Sequence, residues 1–149
     1  MKTDVALPLY QTGIETHCHR VVAVFQPDCV IVHGSIARGD YTPHSDVDIV
    51  VIGGNLPANF FARMFELNRL RDGKTPIEAV AYTRNEWESM RRQFHLTALE
   101  TMEWGIPLYG EALFAAWKAE FERWKTMGLR RRDAGWSTPA LLDDAAYVR

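Results

Sequence analysis

The sequence predicts an α/β (α+β) chain. Two short apolar, β-branched runs of strand length, Cys29–His33 and Val47–Ile52, are each followed by turn residues. A third run, residues 75–82, alternates Ile77, Ala79 and Ala81 with Glu78 and Val80. Around these runs, apolar residues return at helical spacing.

Taken in order, Ile14, Cys18, Val21, Val22 and Phe25 mark a first helix over 13–25, which Pro27 closes and which packs behind the first strand. After the strand Cys29–His33, Gly34-Ser35 opens a turn, and Asp46 and Asp48 fall on the next strand. Gly53-Gly54-Asn55 is a turn. Phe61, Met64, Phe65 and Asn68 then trace one side of a second helix that ends at Asp72-Gly73. The third strand carries Glu78. Thr83 and Glu86 form a capping-box pair, and Trp87, Met90, Phe94, Ala98 and Met102 line a single third helix that Gly105 stops. From Glu111, Leu113, Trp117, Phe121 and Trp124 define a last helix running to Met127, with Gly128 after it. Its aromatic stripe reads as core, with a partner surface shared by Trp104, Trp117, Trp124 and Trp136 as the minority reading. Ser137-Thr138-Pro139 signals a further helix start. No repeat or linker divides the 149 residues, so one domain is expected.

The chemistry concentrates at residues 34–52. A glycine admits close approach of the backbone to a ligand, a serine adds a hydroxyl, and free N–H groups at the start of the turn face negative oxygens. Asp46 and Asp48 are two apart on a strand whose Val47, Ile49 and Val51 form the apolar face, so both carboxylates point the same way. At a rise of about 3.3 Å per residue their Cβ atoms lie roughly 6–7 Å apart, within reach of a shared cation. Mg²⁺ suits two such oxygen donors, since it keeps waters and bridges carboxylates to substrate phosphates. The bland reading, in which the acids serve as turn residues, leaves their desolvation unexplained. Arg38 is placed equally well to pair with Asp40 or Asp46 or to contact phosphates.

Composition narrows the function. A formal charge of −2 disfavours coating of nucleic acid, and no apolar run approaches the roughly 20 residues of a membrane span. No basic-then-apolar leader is visible at the N-terminus, and a cytoplasmic location is expected. Cys18 and Cys29 lack metal or disulfide spacing. His17 and His19, two apart on a helix, point to different faces and are rejected as metal ligands. His33 and His44 border the phosphate path, where each reads first as a satisfied edge histidine. Lys125 with Arg130-Arg131-Arg132 reads as a solvated helix end.

Gly34-Ser35-Ile36-Ala37-Arg38-Gly39, a spacer, and Asp46-x-Asp48 resemble the nucleotidyltransferase superfamily that includes DNA polymerase β, and its minimal branch in particular. The resemblance spans roughly 13–110, including Thr83 to Trp87 and the segment from Gly105 to Gly110. It implies the nucleotidyltransferase fold, a small mixed β-sheet flanked by helices, with residues 1–110 as the core; residues 111–149 lie beyond the resemblance and are expected to form an extra C-terminal helical segment packed on the core. It further implies a third carboxylate on a later strand, here Glu78, as catalytic metal ligand or base. Asp46, Asp48 and Glu78 would be the catalytic and metal-binding set, Gly34, Ser35 and Arg38 the nucleotide-binding set, and two Mg²⁺ ions the cofactor. The implied reaction moves NMP from an NTP, ATP foremost, to a hydroxyl with release of pyrophosphate. Three acceptor readings stand: AMPylation of a protein in a toxin–antitoxin pair, with a helical HEPN-type partner or a homodimer completing the site; transfer to a small molecule of aminoglycoside type; and a non-catalytic nucleotide binder.

Overall fold

In the structure, a computed structural model that describes residues 8–138, β-branched strands build a sheet apolar on both faces. β1 (Cys29–His33), β2 (Val47–Ile52), β3 (Ile77–Tyr82) and β4 (Ile106–Tyr109) lie in the order β3-β2-β1-β4. β1 runs antiparallel to β2 and β4, while β2 and β3 are parallel, which makes the sheet mixed. Val30, Val32, Val47, Ile49, Val51, Ala79 and Ala81 face one layer, covered by α1 (Pro8–Phe25) and α3 (Phe60–Arg69). Cys29, Ile31, Val50 and Ile52 face the other, covered by α4 (Arg84–Arg92), α5 (Leu96–Trp104) and α6 (Glu111–Thr126). Between β1 and β2 lies the short helix α2 (Gly34–Arg38).

Several elements depart from the sequence expectation. α1 begins at Pro8, not Gly13. Gly13 is inside the helix where it crosses Thr75, and a Cβ there would lie 1.7 Å from Thr75 Oγ1, so this glycine permits a close approach instead of marking an end. One turn on, His17 is buried with Nε2 3.0 Å from the Leu67 carbonyl, tying α1 to α3, while His19 is exposed. On α3 the buried positions are Arg63 and Leu67; Phe61 and Phe65 are 80% and 64% exposed. Arg63 takes the inner face because its guanidinium donates to the Pro57 and Ala58 carbonyls and to Glu86.

The single helix expected over 84–104 is two. Thr83 and Glu86 form the full capping box of α4, but Phe94 has φ 55°, and His95 caps α5 by accepting from the Thr97 N–H. Both helices bury their apolar residues in the same layer, so the periodicity runs through the break. The Phe94 ring packs edge-on against Trp124 at 5.3 Å, which offsets part of the cost of its left-handed backbone. Gly105 caps α5 as expected.

The α6 stripe is core: Trp117, Phe121 and Trp124 are buried. Between α4 and α6 the Arg91 guanidinium, 2% exposed, pairs with Glu88 and Glu120 and lies over the Trp117 and Trp124 rings at 5.6 and 5.5 Å. Of the basic cluster, Lys125 is in the last turn of α6 as expected, but the three arginines are not a helix end. Arg130–Arg132 is strand β5, paired with β6 (Gly135–Ser137) across a tight turn that Gly135 (φ 109°) accommodates. Arg131 forks onto Glu100, and Trp136 packs on Phe121. Trp136 and Ser137 therefore belong to a strand; the helix start expected at Pro139 lies outside the described residues. Cys18 and Cys29 are free thiols, each pushed up to about 12 by burial. No helix among the described residues is long and apolar enough to cross a membrane.

Candidate active site

Where β1 ends at His33, the chain enters α2 at once, so the expected turn is a single short helix. Gly34 has φ +73°, and a Cβ on it would lie 2.1 Å from Asp48 Oδ2. Glycine is thus required twice, for the backbone angle and for the carboxylate lying against it. Gly34 and Ser35 open α2, where the first N–H groups have no helical acceptor. Gly39, in the left-handed region, closes the helix by donating its N–H to the Ser35 carbonyl at 2.9 Å. The N-cap is His33, whose side chain makes no capping bond.

Register gathers the acids. His33 pairs with Asp48 across the β1–β2 ladder, and Asp48 pairs with Glu78 across the β2–β3 ladder. These three residues form one row over adjacent strands, spaced by the interstrand distance of about 4.8 Å. Asp46 was expected on the strand but lies one residue before it. It is exposed at the mouth of the row, as is Glu78, while Asp48 is partly buried. Burial first, then the charges of Glu78 and Asp46, push the Asp48 carboxyl up from 3.8 to about 6, and Arg38 only partly opposes them. Arg38 itself is paired with Asp40, not Asp46, at 3.2 Å among the described residues.

His33 is held near 4, mainly by burial and then by Arg38, so its ring is neutral at physiological pH. Its buried Nε2 has no partner among the described residues. His44 is exposed on a turn in which the Thr42 N–H donates to Ser45 Oγ at 2.8 Å.

Among the described residues no three His, Cys, Asp or Glu side chains converge into a ready-made metal cage. The donor set nevertheless fits Mg²⁺. It consists of carboxylate oxygens whose mutual repulsion appears in Asp48, and an open arrangement of one or two carboxylates leaves room for waters and substrate phosphates.

Beside the row, Asp46 and Glu78 line a cleft of about 310 Å³ together with Asn68, Arg71, Pro76 and Ile77. The sequence reading missed Arg71. The only signal for it was a cation just before Asp72-Gly73, and the fold was needed to bring it into the cleft that Glu78 lines. A larger cavity, about 470 Å³, lies at the β5–β6 hairpin among Lys125, Arg131 and Trp136, but two of its cations are already paired with Glu103 and Glu100.

Comparison with known proteins agrees with this geometry. Residues 20–98, more than half of the 149, match the family model of the nucleotidyltransferase domain. No curated protein matches the sequence. A solved toxin–antitoxin structure with AMP-PNP is similar in fold, with a TM-score of 0.51 and 16% identity over 76% of this chain and 87% of that one. A protein from Sulfolobus solfataricus proposed to be a nucleotidyltransferase aligns at 27% identity over 50% of this chain and 68% of that one, with a TM-score of 0.43.

Proposed function

The chain belongs to the nucleotidyltransferase domain family, and on that premise we propose that it transfers NMP from an NTP, ATP foremost, to a hydroxyl acceptor and releases pyrophosphate. The observation that carries this reading is the row of Asp48 and Glu78, with Asp46 at its mouth, set against the first turn of α2.

In this reading, the Gly34 and Ser35 N–H groups and the Ser35 hydroxyl hold the β and γ phosphates, and Arg38 adds positive charge beside them. Asp46 and Asp48 would hold Mg²⁺, with Glu78 serving a second ion or acting as base; bound there, the metal neutralises phosphate charge and lowers the cost of ionising the acceptor. The acceptor oxygen attacks the α-phosphorus in line. A new O–P bond forms, the bond from the α-phosphorus to the bridging oxygen breaks, and pyrophosphate leaves with the electron pair. The hydroxyl proton passes to Glu78 or to solvent.

The Asp48 carboxyl is raised first by burial and then by Glu78 and Asp46, and three carboxylates kept this close favour catalysis over a purely binding role, because a binder of an anionic nucleotide gains nothing from their repulsion. The fold neighbour solved with AMP-PNP belongs to a toxin–antitoxin complex, which supports an adenine nucleotide as donor and a protein as partner; in this reading that partner is helical and of HEPN type. Incubation with each α-labelled NTP, in Mg²⁺ or EDTA and with or without partner proteins, tests the reading. Mg²⁺-dependent pyrophosphate release with label on the acceptor is expected; no release and no Mg²⁺-dependent NTP binding would reduce the protein to a scaffold.

A further inference from the structure

Away from the acid row, the β5–β6 hairpin borders a cavity of about 470 Å³, within the range of roughly 300–1,000 Å³ that small-ligand sites occupy. Its polar walls are Lys125, Arg130, Arg131, Arg132, Trp136 and, from α5, Glu103. Every one of these side chains except Glu103 is a hydrogen-bond donor with no acceptor atom of its own. The Trp136 Nε1 is buried without an acceptor among the described residues. A wall of this composition calls for a ligand rich in acceptor oxygens.

Two of the cations are already matched. Lys125 is held by Glu103 at 3.0 Å, and Arg131 by Glu100 at 2.9 Å. Arg130 has no side-chain partner among the described residues, and Arg132 donates its Nε to a neutral oxygen, Ser137 Oγ, at 3.0 Å. Two positive charges are thus left without a carboxylate, and Asp133 at the turn is not part of the wall.

The strand sets these two charges side by side. Arg130 and Arg132 are two apart on β5, so they share a face with their Cβ atoms roughly 6–7 Å apart, while Arg131 between them turns to α5. Arg130 is paired with Ser137 and Arg132 with Gly135 in the ladder, which lets the Ser137 hydroxyl orient the Arg132 guanidinium before a ligand arrives. Planar forks at this separation can close on one phosphate group or on adjacent ones. A polynucleotide would need a longer track of free cations than two, on a chain whose formal charge is −2. A short polyphosphate presents the densest set of acceptor oxygens for so small a space.

We propose that the hairpin cavity binds a di- or triphosphate anion, free or carried on a nucleotide, with Arg130 and Arg132 holding its phosphates. The site shares no residue with the Gly34-Ser35 cradle, and the two differ in their need for metal. At the cradle Asp46, Asp48 and Glu78 repel a polyphosphate unless a cation intervenes, whereas the carboxylate of the hairpin wall is already neutralised by Lys125.

The test is calorimetric titration of the full chain in EDTA with sodium tripolyphosphate, ATP, a short oligothymidylate and a polyglutamate peptide. One equivalent of tripolyphosphate is expected to bind with a Kd on the order of 10–100 µM. Arg130→Gln and Arg132→Gln, at exposed positions, should each weaken it about tenfold, Arg130→Lys about threefold, and Glu103→Gln, which frees Lys125, should tighten it about threefold. Thermal melts show that the variants fold. ATP binding no tighter than tripolyphosphate marks the free polyphosphate as ligand, and ATP binding about tenfold tighter marks the nucleotide; either result supports the site. Absence of binding in EDTA, binding that survives both arginine substitutions, or tighter binding of the oligothymidylate or the peptide than of tripolyphosphate overturns it.

Discussion

Asp48 is under strain from its neighbours before any cation arrives. Its pKa is raised from 3.8 to about 6, first by burial and then by Glu78 and Asp46, so the folded protein binds this proton more tightly than the unfolded chain. Between those values stability falls as pH rises, and above pH 6 the full penalty persists. Allowing for the partial exposure of the group, the penalty is on the order of 1–2 kcal/mol. Asp48→Asn removes it. In EDTA at pH 7.5 this variant should melt a few degrees above wild type, the gain disappearing near pH 4; thermal melts over that range check it, and a lower melting temperature at pH 7.5 would contradict the assignment. Gly34 meets the same carboxylate. Gly34→Ala must hold φ +73° with a side chain, at about 1–2 kcal/mol, and must also push Asp48 aside. Nucleotidyl transfer is expected to fall about 100-fold or more while the variant still folds, measured by turnover beside circular dichroism.

At the scale of the elements, the strands were legible because β-branched runs bounded by turns have few alternatives: β1 matches its expected bounds and β2 differs only in starting after Asp46. Helix ends were harder to read. Gly13 looked like a boundary but serves the contact with Thr75, and the break at Phe94 was hidden because both helices bury the same face. Sequence spacing also could not show that Arg63 would be the inward residue of α3, since its burial depends on carbonyls and a carboxylate supplied by other segments. The α4 cap was fully readable. Glu86 there accepts from the Thr83 N–H and from Arg63, both at 2.7 Å, so Thr83→Ala removes one half of a box whose other half is tied to α3. A cost of about 1 kcal/mol is expected in urea unfolding, with activity unchanged because the cap is at the end of β3 away from Glu78.

For the molecule as a whole, the sheet brings together what the sequence keeps apart. Asp48 and Glu78 are thirty positions distant in the chain and adjacent in the ladder, and no local pattern encodes that pairing; alternation gave only the face on which Glu78 would lie. The central claim is that these carboxylates drive transfer from the nucleotide. Its most direct test is Mg²⁺-dependent pyrophosphate release from ATP by wild type and by Asp48→Asn, with the acceptor supplied. The account predicts release by wild type and a fall of about 10³-fold or more in the variant, with the fold intact. Equal release by the two proteins would contradict it.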